Sequence, residues 1–368
     1  MSEIATIGDV LRHLDEQAPF AYQESYDNAG LLLGDPSTPV SGILVSLDCT
    51  EDVVEEASSK GCNLIVAHHP VIFKGLKSIG NSTYVGRTVL KAIRNNIAVI
   101  ATHTNLDNVA VGVNSMIANR LGVIDTRPLR YLEGTLSQLV TFVPRIHLKL
   151  VLDALHKAGA GQVGKYNECS FTVDGVGTFK PGHEANPVIG QRGKTEEVQE
   201  ARLEVIYATH LEKKILAALR EAHPYEEIAY YATRLANVNQ DLGAGLVGRL
   251  AQPEDALSFL SRVKSALKTA VVRHTRVLKP TVQRIAICGG AGAFLIQDAI
   301  RAGADVFVTA DLKYHDFFEH NDRLILADPG HYESEQFTID LLVEVLSKKF
   351  VTFAVNFSNT STNPISYL

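Results

Sequence analysis

The sequence predicts an α/β protein in which a domain of largely parallel sheets is split by an inserted α+β domain of ferredoxin-like type. Three observations carry this expectation. Short apolar strands alternate with helical patterns in the first third of the chain. The same alternation returns in the last third. The middle instead shows a strand–helix–strand order twice over, within about 100 residues, which fits a split β-α-β unit.

In chain order, an amphipathic helix over Ile7–Glu16 leads to the polar loop Tyr26–Gly30. Apolar strands then fall at Gly42–Leu47, Asn63–Ala67 and Ile97–Ala101, separated by helices at Asp52–Ser59 and Thr83–Asn95 and followed by one at Gly112–Leu121. In the middle, strand Gln138–Val143, helix His147–Ala158 and strand Ser170–Val173 precede a Gly-, Pro- and charge-rich stretch, Gly175–Glu197. Strand Arg202–Tyr207, helix Leu211–Ala222 and the extended run Ile228–Thr233 follow. The last third reads as strand Arg284–Cys288, a helix ending at Ala302, strand Val306–Thr309, helix Tyr314–His320, strand Leu324–Ala327, one long helix Tyr332–Lys348, and a closing strand Val351–Val355. Polar and turn-forming residues near Thr126–Pro128 and Gln240–Gly243 mark the boundaries. The expected segments are 1–127 and 244–368 for the split α/β domain and 128–243 for the insert, since insertion is tolerated at surface loops.

Composition narrows the class. The chain has 368 residues, 46% hydrophobic and 21% charged, which suits two or three globular domains. No apolar run reaches the roughly 20 residues needed to span a bilayer. The first residues lack the basic and apolar regions of a secretory signal. A membrane protein, a disordered tail, a collagen and a secreted mini-domain are thereby excluded. A net charge of −6, with no Lys- and Arg-rich segment, argues against nucleic-acid binding. Cys49, Cys62, Cys169 and Cys288 form no CxxC pair and read as reduced core thiols of a cytoplasmic protein.

The histidines matter for where they fall. His68 and His69 follow one predicted strand and precede Pro70. His103 follows the next, with Asp107 four residues on, and His331 follows a third through the turn Asp328-Pro329-Gly330. Each group sits just past the carboxyl end of a strand, the edge at which open α/β sheets bind ligands. Imidazole nitrogens together with carboxylate oxygens suit zinc, iron, manganese or nickel. On a helix, His331 and Glu335 project from one face, while Glu333 points elsewhere. Pro70 keeps His69 out of the α region, so the adjacent histidines are able to serve different ions. Five ligands are too few for two closed four-coordinate sites and enough for two open ones completed by water. The competing reading is that each histidine is simply buried and hydrogen-bonded. HH, HxxxD and HxxxE are each weak alone and gain weight by coinciding at three strand ends.

Other constellations carry less. Gly289-Gly290-Ala291-Gly292 reads either as an anion-holding turn at a helix N-terminus or as a tight packing turn. No GKS or GKT follows it, which excludes a P-loop. Thr309-Ala310-Asp311 and His315 lie past the next strand as substrate contacts or a proton donor, although Asp311 equally suits a helix N-cap. Asp27–Gly30 and Gly161–Tyr166 read as turns, and His223–Glu227 as the end of a helix. There is no GxSxG and no Cys with a nearby His base, so covalent catalysis has no candidate.

The blocks YDNAGLLLGD, LIVAHHPVIF, IATHTNLDN, ICGGAGAFLI, TADLKYHD and DPGHYESEQF resemble, in that order, those of the Nif-three-like family, also filed as GTP cyclohydrolase I type 2 or dinuclear metal-centre proteins. The insert, with GAGQVGKYNECSF, GVGTFKPG and AHPYEE, resembles the PII/CutA-like domain of longer bacterial members. The resemblance implies two divalent ions per chain, zinc first, with iron, manganese, nickel or cobalt also accepted. It maps the ligands onto His68, His69, Asp107, His331 and Glu335 and sets His103 near the metals. His103 and His315 are the candidates for catalytic proton transfer. The activity implied is metal-dependent hydrolysis, with activated water attacking a purine nucleotide such as GTP or a related small substrate. The alternative is a metal-binding regulatory or metal-handling scaffold without turnover. A toroidal homohexamer, with no membrane partner, is also implied.

Overall fold

The computed structural model describes residues 5–368. The first four residues of the expected 1–127 segment lie outside the described residues. The chain folds into two compact units, one made of Met1–Arg130 with Asp241–Leu368, the other of Tyr131–Gln240.

In the first part of the larger unit, helix α1 (Ile7–Gln17) starts at a reciprocal cap: Thr6 Oγ1 accepts from Asp9 N while Asp9 Oδ2 accepts from Thr6 N. Ile7, Val10 and Leu14 are its buried stripe. Strands β1 (Gly30–Leu33), β2 (Gly42–Ser46), β3 (Leu64–Ala67) and β4 (Ala98–Ala101) alternate with α2 (Glu51–Ser59) and α3 (Tyr84–Arg94), whose first turns are capped by Thr50 and Thr83. A short helix α4 (Thr104–Asp107), α5 (Val113–Arg120) and β5 (Val123–Tyr131) follow. Every residue of β2, β3 and β4 is buried, as expected of parallel strands covered on both faces.

The smaller unit runs β6 (Leu136–Pro144), α6 (Leu148–Ala158), β7 (Phe171–Phe179), β8 (Glu196–Ala208), α7 (Glu212–Ala222), β9 (Tyr230–Arg234). Its four strands form one antiparallel sheet in the order β7-β8-β6-β9. Both helices cover one face, burying Leu139, Val143, Val151, Leu155, Leu203, Val205, Ile215 and Leu219. Gly159, at φ 109°, supplies the left-handed residue that ends α6.

The larger unit resumes with β10 (Gly243–Asp255), α8 (Ala256–Ala266), β11 (Arg273–His274), β12 (Thr281–Ala291), α9 (Ile296–Arg301), β13 (Val306–Ala310), β14 (Ile325–Asp328), α10 (His331–Glu335), α11 (Thr338–Lys349) and β15 (Ala354–Phe357). Its sheets have the orders β1-β4-β3-β2-β15 and β11-β14-β13-β12-β10-β5. In the first, β15, β2, β3 and β4 are parallel; in the second, β12, β13 and β14 are. Ser46, Ala67 and Ala101 stand in register, so the residues after β2, β3 and β4 emerge at one edge. Ile287, Val308 and Ala327 do the same for the second sheet.

The fold class is the mixed α/β one the sequence predicts, and several elements differ in detail. The long helix expected over Tyr332–Lys348 is two helices. Gln336 pins the break, its Nε2 donating to the carbonyls of Leu267 and Glu333 at 2.9 and 3.3 Å. Tyr314–His320 is a 3-10 helix stopped by Asn321 at φ 50°. The Gly-, Pro- and charge-rich stretch Gly175–Glu197 is strand at both ends: β7 runs on to Phe179 and β8 begins at Glu196, with Phe171–Phe179 paired to Glu204–Glu196. The closing strand starts at Ala354, not Val351, which is 82% exposed. Three cysteines are buried thiols, but Cys169 is only half-buried and is no core residue.

Candidate metal centre

The two aligned sheet edges of the larger unit deliver the chemistry. His68 and His69 follow β3, His103 follows β4, and Asp107 ends α4. His331 and Glu335 open and close the short helix α10 behind β14. Their ligand atoms form three groups, each within 4.8 Å: His69, His331 and Glu335; His68, Asp107 and Glu335; and His68, His69 and His103.

Glu335 belongs to two of these groups and divides its oxygens between them. Oε2 lies 3.0 Å from His69 Nε2 and 3.0 Å from His331 Nε2, and those two nitrogens are 3.4 Å apart. Oε1 lies 3.9 Å from His68 Nε2, which is 3.7 Å from Asp107 Oδ1. His68 Nε2 and Asp107 Oδ1 are buried and have no hydrogen-bond partner. Unpaired buried polar atoms are costly, and donors that converge without bonding one another are what a cation would join.

The four histidines share a further feature. An oxygen holds each ring at Nδ1: the Thr102 carbonyl for His68 (2.8 Å), Asp48 for His69 (2.7 Å), Asp27 for His103 (2.7 Å) and Asp311 for His331 (2.8 Å). With Nδ1–H so engaged, Nε2 of each ring is left to face the others. Asp27 also accepts from the backbone N and side-chain hydroxyl of Thr104, and Asp48 from Thr362 at 2.5 Å.

The electrostatics follow from these contacts. Burial works against the charged form of His69, but Asp48 and Glu335 outweigh it and raise its pKa to about 9. Asp311 and Glu335 likewise outweigh burial at His331 and raise it to about 11. Glu335 is held well below the usual carboxylate range, since the 3.0 Å contacts from His331 and His69, with the nearby His68 ring, overcome its burial. Asp107 goes the other way, pushed up to about 7 by burial and by the Glu335 charge. Burial also tends to raise Asp27, but bonds from His103 and Thr104 bring it to about 2.

Asp48, His69, His103, Asp107, His331 and Glu335 line a cavity of about 420 Å³ that also receives Tyr26, Phe73 and Phe294, with His68 buried behind them. His315 is not among its lining residues; it is exposed and packs against Tyr314 and Phe318. The structure thus brings His68, His69, His103, Asp107, His331 and Glu335 together and leaves His315 outside. Asp311 is no N-cap: at φ 56° it turns its carboxylate to His331. The run Gly289–Gly292 makes room rather than a turn for an anion. Gly289 and Gly290 lie in β12, where a Cβ on Gly290 would collide with Glu335 Oε1. Asp27, read as a turn, and Asp48, not singled out at all, are the residues of this cluster that the sequence reading missed. Asp48 follows β2 as His68 follows β3, so the strand-end signal that marked the histidines marked it too.

The sequence profile of the Duf34/NIF3 family (NGG1p interacting factor 3) matches residues 5–364. A Halalkalibacterium halodurans protein named GTP cyclohydrolase 1 type 2 homolog is 37% identical over 373 residues, covering all of both chains. A Bacillus subtilis protein of the same name is 36% identical over 98% of each. The crystal structure of a Bacillus cereus protein related to NIF3 superposes over the whole of both chains, with a TM-score of 0.87 and 34% identity.

Proposed function

Because the chain belongs to the Duf34/NIF3 family, we propose that it is a metal-dependent hydrolase of the GTP cyclohydrolase 1 type 2 kind, holding two divalent ions and acting on a purine nucleotide such as GTP or a related small substrate. The observation that carries this reading is the division of Glu335 between two ligand groups, of which His69, His331, Asp107 and Glu335 itself line one cavity. The unpaired His68 Nε2 and Asp107 Oδ1 fit the same reading. His69, His331 and Glu335 would hold one ion, and His68, Asp107 and Glu335 the other. Zinc is the first choice for such nitrogen and carboxylate donors, with iron, manganese, nickel or cobalt also accepted.

Ions bound there supply Lewis acidity, which lowers the pKa of a water from about 15.7 toward about 7 and polarises the group under attack. The chain's own residues do the rest. Asp48 and Asp311 orient His69 and His331. His103, gripped at Nδ1 by Asp27, would accept a proton from the nucleophile and return it to the leaving group. Tyr26, Phe73 and Phe294 offer rings to a planar base. Cys288 also lines the cavity, where burial and then the Asp107 and Glu335 charges push its thiol up. Among the described lining residues there is no lysine or arginine, so the charge of an anionic substrate would fall to the ions.

The test is to incubate metal-reconstituted protein with GTP beside an Asp107→Ala control and follow products by mass spectrometry. Formate with an opened or rearranged purine, absent from the control, is expected. Equal turnover by the control overturns the assignment. An untouched GTP pool in fully metal-loaded protein removes the substrate and favours the regulatory or metal-handling reading. We also propose that the chain assembles as a toroidal homohexamer, to be checked by light scattering.

A further inference from the structure

The unit Tyr131–Gln240 has a cavity of about 680 Å³ lined only by its own residues. They come from β7 and β8, from Phe142 on β6, from the segment after Phe179, and from the residues before β9. That segment is tied down rather than loose. Arg192 Nε donates to the Ala185 carbonyl (2.7 Å), Gly193 N to the Pro181 carbonyl (2.8 Å), and Asn186 N to Glu226 Oε1 (2.9 Å). Phe142, Phe179 and Tyr225 give the cavity aromatic walls, and Val176, Val188 and Ile189 add aliphatic ones. The Phe179 and Tyr225 ring centroids are 6.0 Å apart.

Of the charged residues in this lining, only Glu200 is buried. Glu200 is only 8% exposed, and its Oε1 accepts from the Tyr225 hydroxyl at 2.9 Å. Its carboxylate also fills the space a side chain at Gly177 would need. Among the described residues no cation pairs with it. Arg202, also in the lining, is taken by Glu204 at 2.7 Å, and Lys180 is exposed. Glu226 and Glu227 add further negative charge to the lining. A buried carboxylate without a counter-charge is costly, and aromatic faces attract the same sign of charge that would relieve it. We propose that this unit carries a second ligand site, for a small organic cation with an apolar body, whose ammonium group lies against Glu200 between the aromatic walls.

The full chain would be titrated calorimetrically with 2-phenylethylammonium and with its neutral isostere 2-phenylethanol. The ammonium is expected to bind at least about tenfold more tightly. Glu200→Gln keeps the shape and the acceptor for Tyr225 and is expected to abolish that preference. Gly175→Leu, at a lining position with open space around it, is expected to fill the cavity and remove binding of both probes, with circular dichroism confirming the fold. Equal affinity for the two probes, no binding of either, or a preference that survives either substitution would overturn the proposal.

Discussion

Gly290 and Glu335 compete for the same space. A Cβ on Gly290 would collide with Glu335 Oε1 and stand 3.2 Å from His331 Cε1. The bare backbone at 290, with φ +60°, is what lets the buried carboxylate face both ligand groups. Gly290→Ala is therefore expected to halve metal content or worse, measured by elemental analysis, and to cost about 1 kcal/mol from the left-handed backbone alone.

Asp48 sets which nitrogen of His69 faces the site. Asp48→Asn keeps the shape but weakens the grip on Nδ1–H. Chelator competition is expected to show metal affinity lowered about 10- to 100-fold.

Asp107 and Glu335 are two carboxylates in one buried pocket, and metal-free protein must bear their repulsion. Asp107→Asn relieves it and removes a ligand. The variant is expected to raise the melting temperature of chelator-treated protein at pH 8 while lowering its metal content. A lower melting temperature in the metal-free variant would contradict the electrostatic account.

His103 is bonded through Nδ1 to Asp27, and its ring stands 5.4 and 5.5 Å, centroid to centroid, from those of His68 and His69. His103→Asn is expected to leave metal content unchanged and to slow GTP turnover about 100-fold, the usual scale of a lost general acid–base. Parallel metal analysis and product assay separate this from a ligand role, in which both would fall.

Glu56 supplies the clearest pH dependence. Burial opposes its charge, but bonds from Asn359 N, Lys60, Ser358 and Thr360 win and bring its pKa from 4.5 to about 2. A depressed carboxylate stabilises the fold fully above pH 4.5, and that stabilisation is lost as pH falls toward 2. Discounted for solvent screening, it is about 1–2 kcal/mol. The melting temperatures of wild type and Glu56→Gln are expected to differ at pH 7 and to converge across that window.

The histidines of the candidate site are visible in the sequence because each follows an apolar run short enough to be a buried strand. Their partners are not, because adjacency depends on strand order. Asp48 meets His69 only because β2 lies beside β3, and Asp27 reaches His103 across 76 positions. The glycine run was ambiguous for a similar reason: what it makes room for, Glu335, lies on another element. The helix break at Gln336 was hidden because a side-chain bond to Leu267 makes it, not a proline or glycine. In the smaller unit, Gly175 and Gly177 fall in a Gly-, Pro- and charge-rich stretch without a strand pattern, yet Gly177 sits in a strand where Glu200 takes the place of its side chain.

The segment beyond β15 crosses the larger unit by three clasps: Glu56 on residues 358–360, Asp48 on Thr362, and Glu333 on Asn363. The middle clasp holds the same aspartate that steers His69. A purification handle fused after Leu368 would pull on that segment, and its linker would compete for the same acceptors. Metal stoichiometry measured on such a fusion would report the handle as well as the protein, so preparations meant for metal counting should carry their tag at the other end or none.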